Sequence, residues 1–298
     1  MPALRYLLPL AISALLSQPA AGQTGRTLDW VLGEELRLVE IDLTTFETEL
    51  LAPVGPAAPE SPQAMALGPD GDYWLLGIAD LQVGGTFLYR FDPRAGKLET
   101  VGEIEALRSD SPTGFTFTPD GRLLLGNSRG EPALYQVDIQ TAVATPVGPV
   151  SAYFIGMTFL GDQMVALTET PGIADYSLVF YDLDTATTTP IAPFDSQLIG
   201  LGQHNLDVGS DGRLYALIVD TAAVGVASIP RALAIDLDTG AVEVLAEESV
   251  ANTLIRRLGL EGVQTGTVVD VPGLGTAGRL AFLALLVIAG VTATRLRT

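Results

Sequence analysis

One hairpin-forming unit recurs five times along this chain, and no other feature constrains its fold as tightly. It reads LRLVEIDLTTFETELLAPVG from Leu36, FLYRFDPRAGKLETVGEI from Phe87, ALYQVDIQTAVATPVGPV from Ala133, LVFYDLDTATTTPIAPF from Leu178 and ALAIDLDTGAVEVLAE from Ala232. Each copy is an alternating apolar run, an Asp, a short polar turn and a second alternating run. The shared aspartates, Asp42, Asp92, Asp138, Asp182 and Asp236, lie 44 to 54 residues apart. A strand-rich repeat of about 40 to 50 residues is the period of a β-propeller blade. A carboxylate at a strand end accepts backbone N–H bonds in an Asx turn, which is the role expected of all five.

A second unit precedes four of the five: AMALGPDGDYWLLG from Ala64, GFTFTPDGRLLLG from Gly114, GMTFLGDQMVALTE from Gly156 and NLDVGSDGRLYALIVD from Asn205. In three of these, Asp-Gly sits between two β-rich runs, and Gly accepts the positive φ that a tight hairpin imposes. The two units together make a four-stranded antiparallel sheet. Packing on both faces explains apolar runs without alternation such as Leu123-Leu124-Leu125. Between the two terminal segments no stretch of 12 or more residues keeps the i, i+3, i+4 apolar spacing of a helix. The first unit lacks its innermost strand, because Leu28–Gly33 aligns with Asp72–Gly77. An open edge of this kind is closed by borrowing a strand from the other terminus, with Thr253–Leu260 and Val263–Val269 as candidates. The expected fold is all-β: a propeller of about five four-stranded blades over residues 23–270, closed by a C-terminal strand and followed by a transmembrane helix. The body resembles repeat-containing surface proteins in which a Leu-Tyr-x-x-Asp hairpin alternates with a Gly-Leu-x-Phe-x-Pro-Asp-Gly hairpin.

Both ends read as addresses. Residues 1–22 carry Arg5, an apolar stretch from Tyr6 to Leu16, and Ala20 and Gly22 at −3 and −1 of a cut before Gln23, the pattern of a secretory signal peptide read by the Sec export machinery. Residues 271–298 run from Val271-Pro272-Gly273-Leu274 and Gly278 through 15 uncharged residues, Leu280 to Thr294, to Arg295 and Arg297. This order of motif, apolar helix and basic tail resembles the C-terminal sorting signals processed by exosortase-type membrane proteases, nearest the class that begins Ile/Val-Pro-Thr-Leu, with Gly273 where Thr is usual. The resemblance implies an exosortase-like protease as a partner and a membrane-tethered precursor exposed at the cell envelope or outside it. An ordinary one-pass anchor is the alternative for the same segment.

Composition removes several chemistries. The chain has 16 Lys and Arg against 35 Asp and Glu, a formal charge of −19, so no basic surface exists for nucleic acid. Every acidic residue lies between Asp29 and Asp270, so membrane contact is assigned to the tail alone. With no cysteine and one histidine, thiol chemistry, cysteine-ligated metals and multi-His sites are excluded, and no cofactor is implied. Aligned inner strands place Gln63, Thr113, Ile155 and His204 at one level of the central channel, so Gln63, Thr113, His204, Asn205 and Asp207 form the candidate ligand-binding set. Calcium-dependent lactonase propellers hold their metal with Glu, Asn and Asp from separate blades, and here the second strands offer Ile78, Asn127, Glu169 and Ile218. The Asp-Gly pairs at Asp70, Asp120 and Asp211 lack the further ligands of a calcium loop and read as turns. A lone imidazole without an orienting carboxylate in its motif does not make a catalytic base. The leading expectation is a non-catalytic binding or scaffold module with an unidentified extracellular ligand. A channel-site metal-dependent hydrolase or lyase of the lactonase type is the alternative.

Overall fold

Five antiparallel sheets of four strands each build the body, as a computed structural model of the chain shows. The structure describes residues 23–31, 35–55, 59, 61–78, 84–107, 112–128, 130–172, 176–192, 202–220, 229–247 and 255–264. Blade one holds β1 (Thr24–Val31), β2 (Arg37–Asp42), β3 (Thr48–Pro53) and, from the C-terminal side, β20 (Ile255–Gln264). Blade two is β4 (Ser61–Leu67), β5 (Tyr73–Ile78), β6 (Thr86–Asp92) and β7 (Lys97–Glu103). Blade three is β8 (Pro112–Phe117), β9 (Leu123–Asn127), β10 (Ala133–Val137) and β11 (Ala144–Pro149). Blade four is β12 (Tyr153–Leu160), β13 (Gln163–Glu169), β14 (Tyr176–Asp182) and β15 (Thr187–Ala192). Blade five is β16 (Gly202–Val208), β17 (Leu214–Asp220), β18 (Ile229–Ile235) and β19 (Val242–Glu247). The innermost strands β4, β8, β12, β16 and β20 pack in that order around the axis, β20 lying between β16 and β4.

The repeat aspartates act as turn staples. One carboxylate oxygen accepts the N–H groups two and three residues on at Asp42 (2.7 and 3.1 Å), Asp92 (2.8 and 3.1 Å), Asp138 (2.8 and 3.0 Å), Asp182 (2.8 and 3.0 Å) and Asp236 (3.0 and 2.8 Å). The residue four beyond each Asp has positive φ. Gly96 (61°) and Gly240 (69°) adopt it freely, whereas Phe46 (61°), Ala142 (59°) and Ala186 (54°) pay a steric cost there. The Asp-Gly turns are three-residue hairpin loops: Gly68, Thr118 and Gly209 each donate to the carbonyl four residues on, at 2.8, 2.8 and 2.9 Å. The core lies in the seams between neighbouring blades. Phe154 and Tyr181 meet edge to face at 5.0 Å in the seam between blades three and four.

The register corrects the reading of blade one. Gly25 faces Ile41 as Tyr73 faces Phe91, each opposite the residue before a repeat aspartate. The second strand therefore starts four residues earlier than the likeness of Leu28–Gly33 to Asp72–Gly77 implies, because the hydrogen-bond ladder sets the register. Strand β20 straddles both candidate segments and carries two bulges against β1.

The expected transmembrane helix is corrected as well. Among the described residues no helix is long and apolar enough to cross a membrane. The run Leu280–Thr294 lies outside the described residues, and its 15 residues fall short of the roughly 20 that a span requires. With that helix go the membrane contact, the membrane-tethered precursor and the exosortase-like partner that depended on it. Ala20, Gly22, Val271, Pro272, Gly273, Leu274 and Gly278 also lie outside the described residues.

Candidate functional site at the channel axis

Strand pairing assigns each inner-strand residue a level along the axis. Ala66, Thr116, Thr158, Asp207 and Glu261 face Trp74, Leu124, Val165, Tyr215 and Arg26 on the second strands. Those in turn face Arg90, Gln136, Phe180, Ala234 and Glu40, each two residues before a repeat aspartate. The five are therefore equivalent, and one level of the channel carries two threonines and two carboxylic acids drawn from four blades. The adjacent level is apolar: Met65, Phe115, Met157 and Leu206, with Leu260 from a bulge of β20, all buried.

The side chains of the polar level reach sideways to the next inner strand. Asp207 Oδ2 accepts the N–H of Val263 on β20 at 2.9 Å, while Oδ1 accepts its neighbour Val208 N–H at 2.9 Å. The Thr158 side chain on β12 also bonds this carboxyl. Glu261 in turn accepts the N–H of Leu67 on β4. A chain of side-chain hydrogen bonds, the first to a side chain and the next two to backbone N–H groups, thus runs from blade four through five and one to blade two, across both sides of the closing strand.

These two acids hold their protons unusually tightly. Burial pushes the Asp207 carboxyl up to about 6, against the pull of its backbone donors. Burial and then the neighbouring Asp207 charge raise Glu261 well above the usual carboxylate range. The cation nearest by register, Arg26, is exposed and donates to Tyr73 Oη at 3.3 Å. At the centre, residues from all five inner strands, Thr113, Asn205 and Glu261 among them, enclose a cavity of ≈ 10 Å³. That is room for about one water molecule.

The sequence-derived set is only partly gathered here. Thr113 and Asn205 reach the central cavity, and Asp207 belongs to the polar level beside it. Gln63, Thr113 and Ile155 do not share a level with His204. The first three are bulge positions, where two inner-strand residues oppose one on the second strand, whereas β16 has no bulge and His204 pairs directly with Ile218. The His204 side chain lies outside the described residues. Gln63 Nε2 donates to Ser61 Oγ at 2.9 Å, and Thr113 Oγ1 donates to the Phe154 carbonyl at 3.3 Å. Asn127 and Ile218 share one level and Ile78 and Glu169 the next, so those four are not in register. Asn127 is spent on its own loop, donating to Glu131 O at 2.7 Å and accepting from Ala133 N at 2.8 Å. Among the described residues no three His, Asp or Glu side chains gather as a metal site.

Glu261 was missed from sequence because the two candidate closing segments stopped at Leu260 and resumed at Val263, leaving it between them. A carboxylate in an otherwise apolar LGLEGVQ run was the available signal.

A larger space opens away from the axis. A cleft of ≈ 490 Å³ is lined by Arg122 of blade three and by Asp162, Gln163, Phe180, Tyr181, Asp184 and other residues of blade four. A second cavity of ≈ 230 Å³ lies on the other face of blade four, where Tyr181, Ala186 and Thr188 line it with Phe154.

No family model matches the chain, and no curated protein matches it. Among solved structures it is similar to TolB from Acinetobacter baumannii, with 14% identity over 87% of this chain and 70% of that one and a TM-score of 0.44. It is also similar to the periplasmic gluconolactonase PpgL of Pseudomonas aeruginosa, with 16% identity over 80% of this chain and 99% of that one and a TM-score of 0.42. A protein of unknown function from Bacteroides caccae is similar at 10% identity over 76% of this chain and 73% of that one, with a TM-score of 0.42.

Proposed function

We propose that this propeller is a non-catalytic binding module whose ligand is held off the axis. The observation that carries the reading is how the channel centre is used. Its two carboxyl groups are engaged by backbone N–H groups of neighbouring blades, and the space beside them accommodates about one water. A substrate needs convergent groups facing an open volume, and clefts that bind small molecules run to about 300–1,000 Å³. The ≈ 490 Å³ cleft between blades three and four meets that size. The test is a screen of the purified protein against ester, lactone and glycoside substrates, beside a binding screen of unreactive ligands. Binding without turnover supports the module, and turnover that survives purification and scales with the protein overturns it.

A second reading, a channel-site hydrolase or lyase, is favoured by one observation. Asp207, pushed up to about 6 beside a second acid, sits in the range where a carboxyl exchanges protons near neutrality. That reading requires turnover with a pH-rate inflection near 6 that Asp207→Asn removes. The metal-dependent form requires in addition a calcium-dependent rise in Tm.

A further inference from the structure

The five equivalent positions of the polar channel level are not alike. Ala66, Thr116 and Thr158 occupy it on blades two to four, and acids occupy it only on β16 and β20, at the seam where the ring closes. That seam differs in construction as well. The ladder between β20 and β1 carries two bulges, against one between the first two strands of blades two, three and four and none in blade five. β20 shares no sheet with β16 or β4, so no strand ladder ties it to its neighbours around the axis.

The two acids supply ties there. At one bulge Gly262 and Val263 together oppose Gly25, and Gly262 takes a φ of 62°. Asp207 on β16 accepts both of their N–H groups, that of Val263 at 2.9 Å. One backbone bond joins the same flank, from Ser210 N–H to Val263 O at 3.3 Å. On the other flank Glu261 accepts the Leu67 N–H of β4.

The surroundings offer these acids little compensating charge. Among the described residues neither forms an ion pair. From β1, Arg26 pairs in register with Glu261, but it is exposed and donates to Tyr73 Oη of β5, while Asp29 bonds Arg37. From β17, Tyr215 pairs in register with Asp207 and donates its hydroxyl to Asp211 at 2.9 Å. β4 and β8 carry no ionisable side chain, and β12 carries only Tyr153 at its far end. Arg256 and Arg257 lie farther along β20, in register with Trp30 and Asp29, as His204 and Asp220 lie farther along β16 and β17. Two ionised carboxylates on adjacent inner strands therefore repel each other with N–H and hydroxyl donors as their main offset.

We propose that Asp207 and Glu261 form a pH-sensitive latch on the closing strand: β20 stays seated between β16 and β4 while the pair retains a proton, and lifts from them locally once both carboxyls are ionised. This device is independent of what the protein binds. Burial raises both groups, so the latch holds fully below about 3.8 and loosens as pH rises through about 6.

The experiment is native-state hydrogen exchange of the full chain at pH 5.0 and 8.0 in low urea, corrected for intrinsic exchange. Asp207 alone, titrating at about 6 when seated and 3.8 when solvated, lowers protection of the Val263 and Leu67 amides about ten-fold over that range, and Glu261 adds to it. Their exchange is expected to depend less steeply on urea than that of the β9 amides, because lifting one strand exposes less surface than unfolding the propeller. Asp207→Asn and Glu261→Gln should each shrink the pH-dependent loss, and the double variant should abolish it. Either single variant serves if the double variant does not fold. Protection at Val263 and Leu67 that does not fall with pH overturns the latch, as does a urea slope equal to that of β9. A loss of full wild-type size in the double variant, or in a single variant, also overturns it.

Discussion

Glu261→Gln is expected to stabilise the protein at pH 7.5 while changing little at pH 5, although it alters the one acid of the closing strand. Asp207 titrates at about 6 in the folded chain against 3.8 when unfolded, so between those values the folded state binds more protons. Stability attached to a raised carboxyl is fully present below about 3.8 and is lost as pH rises through about 6. A shift of that size corresponds to about 3 kcal/mol. Glu261 adds to it in the same direction, since burial and the Asp207 charge both disfavour its ionised form. A glutamine keeps a carbonyl oxygen for the Leu67 N–H and removes the charge that opposes Asp207, which returns on the order of 1 kcal/mol at neutral pH. The assay is urea unfolding at pH 5.0 and 7.5 for the wild type, Glu261→Gln, and Glu49→Gln as a remote exposed control. The wild type should lose stability from pH 5.0 to 7.5, Glu261→Gln should flatten that loss, and the control should follow the wild type. Stability that rises with pH in the wild type, or a Glu261→Gln variant less stable at both values, refutes the reasoning.

Other expectations follow from the same geometry. Gly126→Ala places a Cβ 2.5 Å from Phe154 Cβ and 2.6 Å from its carbonyl oxygen, so the blade three–four seam must open. The cost is at least the 1–3 kcal/mol typical of overpacking, roughly, read by urea melts. Ala186→Gly relieves a φ of 54° and should raise stability by about 0.5–1 kcal/mol, whereas the same change at the more ordinary Ala66 should lower it. Asp138→Ala leaves the Gln140 and Thr141 N–H groups without their acceptor and should lower Tm, with the difference from wild type shrinking as pH falls through the depressed Asp138 range. A chain ending at Glu248 lacks β20, leaving β1 with an open inner edge and the Asp207 and Leu67 bonds unmade. It should lose cooperative thermal unfolding, followed by circular dichroism.

The repeat architecture was legible because its signals are local. Each aspartate staples its own turn through N–H groups two and three residues away, and each Asp-Gly loop closes over three residues, so period and pattern carry them. The channel site was less legible because bulges are not. Gln63, Thr113 and Ile155 differ from His204 only in how a second strand pairs with them, and no composition rule shows that two residues oppose one. The Asp207–Glu261 pair joins strands 54 positions apart in sequence and depends on the bulged register of β20. Tyr181 was not legible as unusual, since it occupies an ordinary apolar position of its strand and stands out only because packing leaves its hydroxyl without a partner among the described residues.

Hydrogen–deuterium exchange of the full chain, alone and saturated with a ligand found in the binding screen, tests most directly whether recognition lies off the axis. The account predicts added protection around Arg122, Asp162–Gln163 and Phe180–Thr189, with Asn205–Val208 and Leu260–Val263 unchanged. Protection at Asn205–Val208 and Leu260–Val263, with the cleft segments unchanged, would place the ligand in the channel and contradict it.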